Sequence, residues 1–419
     1  MYGRRPKMEA VFQKEKHTLL MPDLFPVHME LLADAIRASG YRVQVLRNQG
    51  ADVLEQGLKY IHNDMCYPAI CSLGQQLHAV TSGSHDPNAV ALIQFQTGGG
   101  CRASNYGMVL KKALERLGKS QIPVVTLGFT TLSRDSGFRL TPLMCLRALA
   151  AITFGDLMML LKNQVRPYEV QPGAAQAVLE RWQDHLKGLL YSASVLPFQL
   201  KRHLEQLAQD FAAIPTRVSQ KVKVGIVGEV YAQYSPFANN NLEEFLESQD
   251  CEYMLPGVLG FLHYCLTGPA VDRVLYGGGR TKAALSRGLT AVIAAYERVL
   301  DQVLQTFPQF VRPSPFRQMR ALGEQVLGRG VKMGEGWYLA AEMGDLVRHG
   351  YDNILCAQPF GCLPNHIVGR GTFRRFRELY PHANLCPIDY DANASRVNQE
   401  NRIKLMLAVA RQRAGLAQH

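Results

Sequence analysis

No stretch of this chain approaches about 18 consecutive apolar residues, so nothing in the sequence reads as a membrane-spanning helix. The basic opening MYGRRPKMEAVFQKEKH leads into no apolar segment long enough for a signal peptide, and the expected location is the cytoplasm. There is no repeat at a fixed period of roughly 20 to 50 residues and no low-complexity tract, which sets solenoids and fibrous classes aside. Cysteine is sparse. Nine among 419 residues are too few for a disulfide scaffold, and a chain without an export signal keeps them reduced, so metal binding or catalysis outranks structural bridges. Nucleotide fingerprints are missing as well. LGKS at 117–120 imitates the end of a phosphate-binding loop, but Ala113 stands where the first glycine belongs and the segment closes a helix. Any ATP-driven step therefore belongs to a partner.

The charge is the one imbalance. A formal net charge of +11 permits an anionic partner without choosing one. Its densest cluster, GRGTFRRFR at 369–377, comes with no RNA-binding or zinc-finger signature, and a solvated helix face explains it; nucleic acid is not expected.

With 47% hydrophobic residues the chain can bury large cores, and its length favours two or three domains. The first third alternates short apolar runs, HTLLMP (17–22), YRVQVL (41–46), AVALIQFQ (89–96) and IPVVTLGF (122–129), with amphipathic segments at 27–40, 71–83 and 103–118 that end at or near glycine. Strand alternating with helix predicts a parallel sheet covered on both faces. Strand signals vanish from about 143 to 222. KVKVGIVG (221–228) opens a second α/β unit, continued by RVLYGG (273–278), NILCAQ (353–358) and NLCPID (384–389), with helical sequence inserted near 280–350. The predicted class is α/β with two parallel-sheet domains: an N-terminal domain at 1–142, a helical connector at 143–220, and a C-terminal domain at 221–419.

In an open parallel sheet, ligands bind where loops leave the carboxyl ends of strands and enter helices. Three cysteines fall at equivalent strand-to-helix corners of this kind. Cys66 stands just before Pro68, Cys101 follows strand 89–96 through TGGG, and Cys362 follows strand 353–358 through PFG and precedes Pro364. The positive end of a helix stabilises thiolates and bound anions, an anionic iron–sulfur cluster included. Gly98, Gly99, Gly100 and Gly361 remove side chains where such a group needs close backbone approach. Cys71 lies in the helix that Cys66 opens, Cys356 and Cys386 lie in predicted strands, and Cys145, Cys251 and Cys265 lie in apolar or helical contexts; all six read first as core. Zinc is the competing metal, since Cys66 and Cys71 are spaced at the edge of its usual range, but no second close pair exists. Their spacing is also wide for a redox dithiol. Polar residues gather at the same corners: His62, Asn63 and Asp64; Arg102, Ser104 and Asn105; Asn365 and His366; Asp389 and Asp391. Glu229 and Glu335, acids followed by aromatic residues near loop-to-helix corners, are the candidate catalytic groups, with a satisfied structural carboxylate as the alternative for each. YGGGR at 276–280 offers an anion nest after the expected strand, or a plain turn.

With these corners in hand, the motifs HNDMCYPAI, QTGGGCRASNY, GIVGEVYAQYSPFANNN, GEGWYLAAEM, QPFGCLPNHIVGRG and IDYDANASRVNQENRIKLML resemble the 2-hydroxyacyl-CoA dehydratase superfamily, most closely the C-terminal region of its large activase-related proteins. The resemblance spans nearly the whole chain. It implies Rossmann-like domains around a [4Fe-4S] cluster held by Cys66, Cys101 and Cys362, a homo- or heterodimer, oxygen sensitivity, and electrons delivered by a separate ATP-hydrolysing activator for radical or reductive chemistry on an acyl-CoA or other small molecule. A related type carries a double-cubane [8Fe-9S] cluster, for which Cys71, Cys356 and Cys386 would supply further thiolates. The chain departs from the dehydratases proper in having neither a second subunit nor an activator domain, which leaves a non-catalytic cluster- or metal-binding scaffold as a further reading.

Overall fold

The structure, a computed structural model, describes residues 10–62, 64–96, 100–128 and 137–416. The first domain runs β1 (Thr18–Met21), α1 (His28–Arg37), β2 (Arg42–Val45), α2 (Ala51–Tyr60), α3 (Tyr67–Thr81), β3 (Val90–Gln96), α4 (Tyr106–Arg116) and β4 (Val124–Gly128). Three helices follow: α5 (Pro142–Val165), α6 (Ala174–Tyr191) and α7 (Pro197–Ala212). The second domain opens with β5 (Val222–Gly228), α8 (Val230–Tyr234), α9 (Pro236–Asn239), α10 (Leu242–Ser248) and β6 (Cys251–Met254). It continues through α11 (Val258–Tyr276), α12 (Arg280–Gln305), α13 (Phe316–Val326) and α14 (Gly336–Arg348). It closes with β7 (Asn353–Pro359), α15 (Leu363–Val368), α16 (Phe373–Leu379), β8 (Asn384–Tyr390) and α17 (Arg396–Ala414).

Each domain holds a four-stranded, wholly parallel sheet, and the two share one plan: β2-β1-β3-β4 and β6-β5-β7-β8. The sequence pattern explains the positions. Central β3 is apolar along nearly its whole length because helices cover both its faces, whereas β2 alternates exposed and buried residues, as an edge strand does. Both are Rossmann-like sheets, and in each the chain reverses direction of travel at the gap between the first and third strands, where such folds bind ligands.

The segment RVLYGG is not a strand. Residues 273–276 are the last turn of α11, which packs along α12, and Gly277 at φ +70° ends the helix. Its β-branched and aromatic letters suit a strand locally, but a 19-residue helix carries them along. The fourth strand of the second sheet is β6, whose four residues are too few to display a period. YGGGR is accordingly a helix stop followed by the start of α12. The helical insertion is also longer than expected, running through α11 to α14.

Helix α5 is apolar around most of its circumference because it lies between the domains, packing on α1, α6, α7, α11, α12 and β6. With the turn that follows it, Pro142–Tyr168 is long and apolar enough to cross a membrane, and 72% of its most apolar stretch is buried inside the protein. Asp156 on this helix is the polar exception. It accepts hydrogen bonds from the first N–H groups of α11, Val258 (2.7 Å) and Leu259 (2.9 Å), and pairs with His28 Nε2 of α1 at 2.8 Å. One buried carboxylate thus caps a helix of one domain and grips a helix of the other.

The turn that carries Cys66 is set by two glycines. A Cβ on Gly57 of α2 would lie 2.3 Å from Ile70 O, and one on Gly74 of α3 would lie 2.5 Å from Val53 O, so α2 and α3 touch backbone to backbone. The loop after β7 meets this turn: Tyr67 N–H donates to Phe360 O at 2.9 Å. Phe25, after β1, packs edge-on against Tyr234 of α8 at 5.2 Å. The carboxyl ends of the two sheets therefore face each other.

Candidate functional site

Cys66, Cys101 and Cys362 each occupy the residue immediately before a helix: α3, a short 3-10 turn (Arg102–Asn105) leading into α4, and α15. All three have extended backbone, the conformation of a helix-capping residue. Cys101 and Cys362 follow the equivalent strands β3 and β7. Cys66 does not follow a strand; it lies between α2 and α3, because the crossover from β2 to β3 is a helical hairpin. The three corners meet at Gly361, whose φ of +74° is open to glycine. A Cβ there would lie 3.1 Å from Cys66 Cα and 3.3 Å from an Arg102 guanidinium nitrogen. Arg102 in turn donates to Asp64 O. Gly100 serves a different contact: its missing side chain leaves room for the thioether of Met333. Gly98, Gly99 and Asn63 lie outside the described residues.

Burial raises the thiols of Cys66 and Cys362. Cys66, 4% exposed, is pushed up to about 12, chiefly by desolvation; the Tyr106 hydroxyl 2.8 Å from its sulfur works the other way, and Glu229 and Cys101 add to the rise. Cys362 is raised further by desolvation, then by Glu335, Glu229 and Cys66. Cys101 is more open, and its sulfur accepts from Ala103 N–H at 3.5 Å.

The two acids stand together at the head of α8. Glu229 caps that helix, its Oε2 accepting from Tyr231 N–H (3.1 Å) and Ala232 N–H (2.9 Å). Glu335 reaches the same end from the start of α14, its Oε1 accepting from Val230 N–H at 3.1 Å, while its buried Oε2 has no hydrogen-bond partner among the described residues. Desolvation raises Glu229 to about 8, with the Glu335 charge adding to it, and raises Glu335 to about 7 against two backbone hydrogen bonds that lower it. The pair shares its protons, so these values belong to both acids together, and near neutral pH at least part of the pair is protonated. Both amide atoms of Gln358, at the end of β7, and of Asn365, three residues after Cys362, are fully buried without hydrogen-bond partners among the described residues. Such groups are costly unless something fills the space they face.

The remaining sequence candidates separate. Cys356 packs beside Gly369, where a Cβ would lie 3.1 Å from its sulfur, and its thiol is raised by burial and then by Glu335. Cys71 is wholly buried inside α3, and Cys386, half-buried on β8, contacts Arg402 O. His62 and Asp64 form an exposed pair at 3.3 Å, and Asp389 pairs with Arg402 at 3.6 Å. Sequence reasoning passed over Tyr106, Gln358, Glu342 and Cys265. Burial and Glu335 raise the carboxyl of Glu342, and Cys265 of α11 is raised by burial, then by Glu335 and Cys101. Three of them carried a signal: Tyr106 closes the motif QTGGGCRASNY, Gln358 opens QPFGCLPNHIVGRG, and Glu342 stands in GEGWYLAAEM.

Among the described residues no three His, Cys, Asp or Glu side chains stand close enough together to hold one metal ion. A single tetrahedral zinc is therefore a poor match to this geometry. A polynuclear cluster sets its cysteines further apart than a single ion does, and the thiols of Cys66 and Cys362 flank a contact at Gly361 that Arg102, the neighbour of Cys101, also reaches. Compared with known protein families and with curated proteins, the sequence matches none.

Proposed function

We propose that the chain holds an iron–sulfur cluster, [4Fe-4S] in the favoured form, through Cys66, Cys101 and Cys362, and acts in reductive chemistry of the 2-hydroxyacyl-CoA dehydratase type. The observation that carries this reading is the meeting of the three cysteine corners at Gly361, on the carboxyl side of both sheets. When bound, the cluster supplies single low-potential electrons, received from a separate ATP-hydrolysing activator.

The protein's own residues do the remaining work. Glu229 and Glu335 retain a proton near neutral pH and give it to the oxygen that leaves the substrate, as a buried carboxylic acid can. The helix-end N–H groups on both acids hold them in place. Gln358 and Asn365 present amide donors and acceptors that orient the bound groups, and the surrounding burial excludes water and oxygen. The three corner cysteines supply the thiolates of a [4Fe-4S] cluster, and Cys71, Cys356 and Cys386 are the thiols that a double-cubane [8Fe-9S] cluster would add.

The test is anaerobic purification with iron, sulfide and zinc determined per chain. Roughly four irons are expected, and roughly eight would move the assignment to the double cubane. Alanine at each of Cys66, Cys101 and Cys362 abolishes the cluster; full iron in all three variants sinks the proposal. Iron that transfers freely to an acceptor, with no turnover under any reductant, makes the chain a scaffold instead.

A further inference from the structure

A second cleft, of about 570 Å³, opens among α5, α11, α12, α13 and α14, and among the described residues no cysteine lines it. Its volume is that of a small-molecule site. The floor is aliphatic, built from Met159, Leu160, Leu259, Leu304 and Met319. One wall is a block of rings in which Phe316 stacks on His263 (3.7 Å, 9°) and faces Tyr338 (6.1 Å, 23°). These ring faces are spent on one another, so the wall offers edges and no slot for a flat base.

Each acid in the lining has at least one charged or backbone neighbour, although among the described residues Asp301 Oδ1 and Asp345 Oδ1 accept no hydrogen bond. Asp156 caps α11, Glu297 takes His263 Nδ1 at 2.9 Å, Asp301 takes Arg312 at 3.3 Å, and Asp345 lies 3.5 Å from His349. The arginines are not all matched. Arg320 has only a loose 3.8 Å contact to Glu324, and among the described residues Arg298 of α12 and Arg317 of α13 have no carboxylate within 4.0 Å. Two unpaired guanidinium groups therefore border an apolar floor, approaching from two different helices. A guanidinium fork recognises a carboxylate through paired hydrogen bonds, and the floor recognises an aliphatic body.

We infer that this cleft binds an amphipathic carboxylate, its aliphatic body on the floor formed by Leu259, Leu304 and Met319 and its anionic head held by Arg298 and Arg317. Tyr338 of the cleft wall lies three residues beyond Glu335 on α14, so the occupant touches the helix that also carries an acid of the thiol site. This inference is independent of the iron–sulfur proposal and can be tested on protein without metal.

The probe is decanoate, titrated calorimetrically into the full chain below its micelle concentration, with decanol and inorganic phosphate as comparisons. Saturable binding of one decanoate per chain is expected, with decanol and phosphate each at least ten-fold weaker. The double variant R298A/R317A weakens decanoate at least ten-fold while leaving decanol unchanged. Both arginines are exposed, and circular dichroism verifies that the variant remains folded. Lack of decanoate binding overturns the inference. So does equal binding of decanol, which would make the cleft merely apolar, equal binding of phosphate, or unchanged affinity in the double variant.

Discussion

Replacing Glu335 by Gln tests the electrostatics of the acid pair without depending on any bound group. Glu335 is 5% exposed, and its carboxyl is raised from 4.5 to about 7. Because the folded state holds this proton more tightly than the unfolded chain does, the stability it contributes is complete below pH 4.5. That contribution is lost as pH rises through 7. At about 1.4 kcal/mol per pH unit over that interval, the loss is about 3 kcal/mol for Glu335. Glu229, raised to about 8 partly by its neighbour's charge, extends the loss to higher pH. Glutamine keeps the shape and an acceptor for Val230 N–H but carries no charge at any pH. Urea unfolding of metal-free protein, followed by circular dichroism at pH 5 and pH 8.5, should show wild type weakening with pH and E335Q weakening by about 3 kcal/mol less. Parallel pH profiles for the two proteins would show that Glu335 ionises without cost, and the assignment of a shared, retained proton would fail.

Asp156→Ala leaves the Val258 and Leu259 N–H groups buried and unpaired and frees His28; a loss of about 2 to 4 kcal/mol is expected in the same assay, with Asp156→Asn costing less. Gly74→Ala pushes a methyl to 2.5 Å from Val53 O, forcing α2 and α3 apart; thermal unfolding should register about 1 to 3 kcal/mol, and an unchanged midpoint would contradict the close helix contact. Gly361→Ala requires a left-handed alanine beside Cys66 Cα, costing about 1 to 2 kcal/mol and, on the proposed function, lowering iron content. Cys356→Ala should retain the iron of wild type, whereas a fall to half would point to the double-cubane set.

The strands of the first domain were legible because burial on both faces leaves apolar runs such as VALIQFQ, bounded by turn residues. The corner positions of Cys101 and Cys362 followed from strand–loop–helix order, since a parallel sheet sends every loop at its carboxyl edge toward the ligand side. Less visible were the elements whose letters conflict with their setting. RVLY has strand propensity but ends a helix, because its packing along α12 overrides local preference; β6 is too short to announce itself. Cys66 was placed at the mouth of a helix, yet the element before it is α2, whose contact through Gly57 and Gly74 no local pattern reveals.

The α/β class with two parallel sheets, the cysteines placed before helices and the candidacy of Glu229 and Glu335 were thus legible in the sequence alone, since each depends on periodicity or on neighbours a few residues away. Only the tertiary structure decided that Glu229 and Glu335 meet at one helix end, that Gly361 nests against Cys66, and that Gln358 and Asn365 are buried without hydrogen-bond partners among the described residues. The meeting of the two acids depends on how α8 and α14 pack within the second domain, and the Gly361–Cys66 contact on how the two domains face each other across α5. That arrangement is set by contacts between residues more than a hundred positions apart, such as Asp156 with His28 and Val258.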